Sequence, residues 1–236
     1  LTISGNKGDF SIFTIATGGI LSIADVTVSG AQVTGNGGAF NNSGTLTVSN
    51  SALSNNSASN GGGIFNFGTL IITNSTLSGN SATNNTGGGI FNSGTLTVNN
   101  STLSNNSAKY GSGGGIFTTG AVSVTVSNST LSGNSAHLGG AIFNNSSLNM
   151  SNSTVSGNSA NNRGGGIYNY RSSLSVSNST LSGNSASNGG GIYSTNYIST
   201  INFANTIIAN STSGGDFSGG TVNLISPSTK ANNLVT

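Results

Sequence analysis

The chain has 236 residues, of which 3% are charged, 38 are glycine, one is proline and none is cysteine; an average globular domain carries about 25% charged residues. This composition excludes a thick globular core, disulfides and thiolate metal sites, and leaves a long thin object with much backbone and little side chain. The net charge of +2 rests on five basic residues against three acidic ones, with no basic cluster to neutralise a run of phosphates, so nucleic acid is excluded as a partner.

The predicted elements follow in chain order. Residues 1–33 read as irregular first coils of one solenoid, with Phe10 to Ile23 continuing as apolar strand. The chain opens at Leu1 inside the repeat-like phrase LTISGN, and is expected to be a piece of a longer protein. Residues 34–210 read as regular repeats. Anchored on the aromatic of GG-[IA]-[FY], they give Phe40, Phe65, Phe91, Phe117, Phe143, Tyr168 and Tyr193. A fixed period of about 25 residues outranks local propensity. Residues 211–236 read as a divergent last coil of the same domain, with Thr221 to Ile225 again strand-like.

Each repeat offers three short strand phrases. The first is Gly-Gly-Ile-Phe-Asn. The second alternates, as in Thr95-Leu96-Thr97-Val98, with Leu46/Val48, Leu70/Ile72, Val124/Val126, Leu148/Met150, Leu174/Val176 and Ile201/Phe203 as counterparts. Period-two alternation means one face buried and one solvated. The third carries one apolar residue: Leu53, Leu77, Leu103, Leu131, Val155, Leu181 or Ile208. Like aligns with like at constant coil length, which hairpins cannot produce. The fold class is therefore all-β, a right-handed parallel β-helix with three short strands per coil. Roughly nine coils at ~4.8 Å make a rod on the order of 40 Å long.

The corners carry asparagine. Asn50, Asn74, Asn100, Asn128, Asn152, Asn178 and Asn205 follow the second strand. Asn36, Asn56, Asn80, Asn106, Asn134, Asn158, Asn184 and Asn210 follow the third. Asn tolerates left-handed backbone and bonds its own backbone, and stacked amides are expected to form ladders. Ala58, Ala82, Ala108, Ala136, Ala160 and Ala186 are small enough for a tight bend after the second corner. Length varies only between that Ala and the Gly run, and after the aromatic. Lys109, Tyr110, His137, Arg163, Tyr170, Arg171 and Tyr197 sit on these two edges, where insertions are expected as surface loops.

Two motifs resemble a known family. Gly139-Gly140-Ala141-Ile142 matches the GGAI signature of chlamydial polymorphic outer membrane proteins. The companion FxxN signature is met by Leu131-Ser132-Gly133-Asn134 with Leu for Phe. The repeat is also similar to Ser/Asn-rich arrays in large secreted surface proteins of cyanobacteria, over about residues 30–236. The resemblance implies a bacterial, extracellular, cell-surface setting. Partners would be neighbouring copies or flanking domains of the same protein, and glycans or host-cell-surface molecules.

Chemistry is sparse. Polysaccharide-degrading β-helices need paired carboxylates or an acidic calcium cluster. Here there is no Glu, and Asp9, Asp25 and Asp216 are scattered. His137 is the single histidine. No catalytic residue, metal site or cofactor is therefore assigned. The ligand-binding candidates are the aromatic and loop edge, Phe65, Phe91, Phe117, Phe143, Tyr168, Tyr193, Tyr170 and Arg171. Either the rings turn outward as an exposed ladder, or they cap the core corner.

The leading reading is a non-enzymatic structural or adhesive segment. The terminal coils show no capping helix, so they are expected to meet a longer parent protein or to stack end to end into filaments. The alternatives are a carbohydrate-binding module on the aromatic edge, ice binding by an imperfect array of Thr45, Thr69, Thr95, Thr125, Ser147 and Ser173, and, with least support, a polysaccharide-degrading enzyme.

Overall fold

The computed structural model describes residues 1–5, 7–195, 200–220, 222–224 and 234–235. Tyr197, Thr221, Ile225, Asn232 and Asn233 lie outside the described residues.

A typical coil begins at Ile90–Asn92, continues through Thr95–Asn99 and Thr102–Ser104, and returns along Ser107–Ser112. Each strand pairs in parallel with its counterpart one coil away: Leu70 with Leu96, Leu77 with Leu103, Ile64 with Ile90. Ala52 pairs with Thr76, 24 residues on, and Thr102 with Thr130, 28 residues on. The period is thus kept by register while loop length drifts. Among the described residues three sheets result, of ten, seven and sixteen strands. The Thr-Leu-Ser phrases form the first. The Ser-Ala phrases, expected as corners, form the second as short strands of their own. The Ile-Phe-Asn and Thr-Leu-Thr-Val phrases join in the third.

The alternation works as its period dictates. In Thr95–Asn99 the buried positions are Leu96 and Val98. Stacked on Leu46, Leu70, Val124, Leu148 and Leu174, they meet Leu53 to Leu181 and Ile64 to Ile192 in one continuous aliphatic core. The backbone closes tightly around it. A Cβ at Gly88 would overlap the carbonyl of Gly114 and the backbone of Ser107, which is why the first phrase opens on glycine.

Four residue placements are corrected. Phe40 does not belong to the aromatic column: it pairs with Ile64, and Asn41 with Phe65. It points inward, fully buried, and stacks on Phe13 at 5.1 Å and 10° between planes. A one-residue offset turns a strand side chain to the opposite face. Asn36 belongs beside Asn60, to which it is bridged; Ala31 is the residue that meets Asn56. Asn210 follows Ala209, the partner of Ser182, and so takes the left-handed slot held by Gly183 in the coil before. Thr125 pairs with Thr97, so it leaves the column of Thr95.

Part of the length variation is absorbed as strand, while Thr83 to Thr86 and Arg171-Ser172 remain bends. Ile116–Ser127 and Ile142–Ser151 each run unbroken through two phrases, with the register slipping between Thr119 and Ser123. Ser107–Ser112 extends the second sheet past the usual pair, slipping between Ala108 and Ser112. Such bulges keep pairing on both sides of the extra residues.

The first coil differs from the rest in burial. Ile3, Phe13, Leu21 and Ile23 are only partly buried against the core, whereas their partners Val28, Phe40, Leu46 and Val48 are sealed. Leu1 and Ile20 are 85% and 81% exposed.

Candidate functional site

The aromatic and loop edge lies beside three polar ladders, which account for most of the repeated polar residues. The deepest is Asn56, Asn80, Asn106, Asn134, Asn158 and Asn184, all 0% exposed. Asn106 Nδ2 donates to Asn134 Oδ1 at 3.0 Å and to the carbonyl of Leu77 at 2.9 Å, while its backbone N–H donates to the same Oδ1 at 2.9 Å. Each amide thereby ties its own coil to the coil before and the coil after. Asn80 and Asn134 repeat the pattern.

A second ladder runs through Ser51, Ser75, Ser101, Ser129, Ser153 and Ser179. Each backbone N–H donates to the next hydroxyl at 3.1 Å, and each hydroxyl donates to the carbonyl two residues earlier, as in Ser101 to Asn99. The third is Asn42, Asn66, Asn92, Thr118, Asn144 and Asn169, also buried. Asn66 Nδ2 donates to Asn92 Oδ1 at 2.6 Å, and the spacing widens to 3.5 Å where Thr118 replaces Asn. Sequence reasoning missed this ladder. The signal was present: in Ile64-Phe65-Asn66, alternation puts Asn66 on the inward side with Ile64.

The column of Asn50, Asn74, Asn100, Asn128, Asn152 and Asn178 is different. These residues take φ between 46° and 50°, as the sharp corner requires. Their amides are exposed. Asn100 Nδ2 donates to Asn74 Oδ1 at 2.7 Å, but Asn128 turns to Asn99 Oδ1 instead, so the ladder is interrupted there. Asp25, with φ 57°, takes the rung below Asn50.

The six aromatics form a column outside the aliphatic core. Phe65, Phe91, Phe117 and Phe143 stack at 4.5, 5.3 and 5.0 Å. Phe65, Phe143 and Tyr168 are buried, while Phe91, Phe117 and Tyr193 are half-buried. They shield one another and are flanked by Phe67 and Tyr170, so the column is neither an open ladder nor part of the core.

The column changes character at its far end. Tyr168 meets Phe143 edge-on at 85° and Tyr193 at 64°. The Arg163 guanidinium lies 4.9 Å over the Tyr193 ring, close enough to the Tyr168 phenol to act on it electrostatically. Burial pushes the Tyr168 phenol above its usual value, an effect that Arg163 partly offsets. Arg163 Nε is buried with no hydrogen-bond partner. Arg171 sits 5.3 Å over the Tyr170 ring, in a left-handed conformation at φ 51°. Beside it an open groove of about 590 Å³ is lined by Gly120, Val122, Asn145, Ser147, Arg171 and Ser173 among others.

The acidic residues are dispersed. Asp9 accepts from Thr34 at the first coil, and buried Asp216 accepts from the Ser211 N–H near the last. His137 is exposed on a Ser-Ala strand. Among the described residues no three His, Cys, Asp or Glu gather where a metal ion could be held, and no helix is long and apolar enough to cross a membrane.

Two family models match the chain. Residues 178–195 match the Chlamydia polymorphic membrane protein repeat, a stretch holding Leu181-Ser182-Gly183-Asn184 and Gly189 to Ile192. No curated protein and no solved structure matches. The other family model covers residues 11–181, well over half of the chain, and agrees with the parallel coils, so the protein belongs to the right handed beta helix region family.

Proposed function

We propose that the chain is a non-enzymatic, extracellular segment of a bacterial surface protein, serving as a rigid and adhesive rod. The observation that supports this best is the use of the repeated polar residues. The Asn56, Ser51 and Asn42 columns spend their hydrogen bonds on neighbouring coils. A solenoid bonded this way from coil to coil opens only with difficulty. The match to a repeat named for a Chlamydia membrane protein supports the surface setting. The apolar residues exposed on the first coil favour contact with a second copy stacked end to end.

Beads coated with the purified chain test the adhesive role. Binding to cell surfaces, with rods or filaments in electron micrographs, is expected. Beads that bind no better than albumin-coated ones, or reducing ends released from pectic or other polysaccharides, would overturn it.

A second reading, a carbohydrate-binding module, is favoured by the half-exposed rings of Tyr170 and Tyr193 beside an open groove. Aromatic faces with a polar rim suit sugars. A glycan array comparing the chain with its Tyr168→Ala and Tyr193→Ala variants tests it: hits that vanish in the variants support it, and a blank array removes it.

A further inference from the structure

We infer that Arg163, Tyr170, Arg171 and Tyr193, together with the groove beside Arg171, bind an acidic polysaccharide, with its carboxylate or sulfate groups on the two guanidinium groups. The inference rests on the reading of the chain as adhesive and names what it adheres to.

Four observations converge on this end of the edge. First, the aromatic column is Phe from Phe65 to Phe143 and Tyr from Tyr168 onward, and the change coincides with the arrival of Arg163. Second, two of the chain's five basic residues flank one aromatic cluster. Arg163 covers Tyr193, Arg171 covers Tyr170, and Tyr168 lies 6.1 Å from Tyr170 and 5.2 Å from Tyr193. A guanidinium over a ring has the N–H geometry that forks onto a carboxylate or sulfate. Third, Arg163 Nε is buried and lacks a partner, a cost that the fold bears to keep an arginine at this position. Fourth, Arg171 holds a left-handed conformation usual for Gly or Asn. A non-glycine residue kept there at a cost of about 1–2 kcal/mol points to a use for its side chain.

The adjoining groove favours a saccharide over an acidic peptide. Its lining combines Ser and Asn with Gly120 and Val122, and the surface it presents mixes polar and apolar atoms: Ser123, Asn145, Ser147 and Ser173 supply the polar ones. It crosses three coils, roughly 10 Å at ~4.8 Å per rung. Short polar side chains on a fixed sheet suit the hydroxyls of consecutive sugar units, and the half-buried ring of Tyr170 adds apolar surface for a sugar to rest against. None of the three aspartates belongs to this edge: Asp9 and Asp25 lie in the first coil, and Asp216 is turned to Ser211. An anionic polymer would therefore meet cations without opposing carboxylates.

Affinity electrophoresis of the full chain tests the inference. The gels contain polygalacturonate, dextran sulfate, neutral dextran or polyglutamate, at low salt. Retardation is expected in one or both acidic polysaccharides and not in dextran. The polygalacturonate and dextran sulfate lanes separate carboxylate from sulfate recognition. Arg171→Asn keeps the left-handed backbone and removes the charge, so it should weaken retardation roughly ten-fold with folding intact. Arg163→Lys keeps the charge and loses the fork, and should weaken it as well. Lys7→Ala, at the opposite end of the rod, should leave it unchanged. Absence of retardation in both acidic polysaccharides would overturn the inference, as would equal retardation in dextran or polyglutamate, or an Arg171→Asn variant retarded like the parent. Coated beads that still adhere to cells in any of these cases would leave the adhesive reading standing.

Discussion

The solenoid holds two asparagine columns one corner apart, and treats the same residue in opposite ways. From Asn56 to Asn184 the amides are sealed from water, and each ties three coils together. From Asn50 to Asn178 the amides are exposed, and what the fold uses is a backbone φ near 48°. Periodicity alone makes the columns look equivalent. Burial separates them, because an exposed amide exchanges one partner for water, whereas a buried one that is lost leaves orphaned groups behind.

The largest effect is expected from Asn106→Asp. At neutral pH a carboxylate cannot donate to the carbonyl of Leu77 or to Asn134 Oδ1, and it places an unpaired charge in the core. Urea unfolding should show a loss of more than about 4 kcal/mol, or no cooperative transition at all. A loss under about 1 kcal/mol would erase the distinction between the columns. The missed ladder comes next. Asn92→Ala removes the acceptor of Asn66 and a donor to the carbonyl of Gly94, and should cost about 2 kcal/mol.

Smaller effects belong to the exposed corner. Asn100→Ala puts at φ 48° a residue without the polar side chain that lets Asn tolerate the left-handed region, and should cost about 1 kcal/mol. Asn100→Gly, which accepts that φ freely, should change the urea midpoint by only a few tenths of a kcal/mol. The pH dependence is the mildest. Because burial raises the Tyr168 phenol above 10.0, unfolding releases its proton more easily than the folded chain does. Stability is therefore unaffected by this group below pH 10, and falls as pH rises from there toward the folded value. Tyr168→Phe should remove that alkaline loss, as read by thermal unfolding across alkaline buffers.

Much of this was legible in the sequence. The Leu96/Val98 and Leu103 rungs pair as their spacing requires, because alternation and coil length fix a parallel register. Phe40 was misplaced for a physical reason. Its phrase Gly37-Gly38-Ala39-Phe40 has an aromatic where later coils have Ile, and Phe13 beneath it fills the wider slot that Phe needs. Composition could not disclose that inner pair. The edge was half legible. Tyr168, Tyr193, Tyr170 and Arg171 stood out as departures from the repeat, but Arg163 read as one more residue of a variable loop. Its place over Tyr193 depends on how far a long side chain reaches across a corner, which spacing does not encode.

The most direct test compares two single substitutions, Asn106→Ala and Asn100→Ala, in parallel urea titrations of the full chain. The first strips a buried rung of its donors and strands the N–H groups of Asn80; the second opens an exposed corner. The expected losses are about 3 kcal/mol for Asn106→Ala and about 1 kcal/mol for Asn100→Ala, with unchanged slopes. Equal losses, or a larger one at Asn100, would contradict the claim that the buried amide ladder holds the rod together.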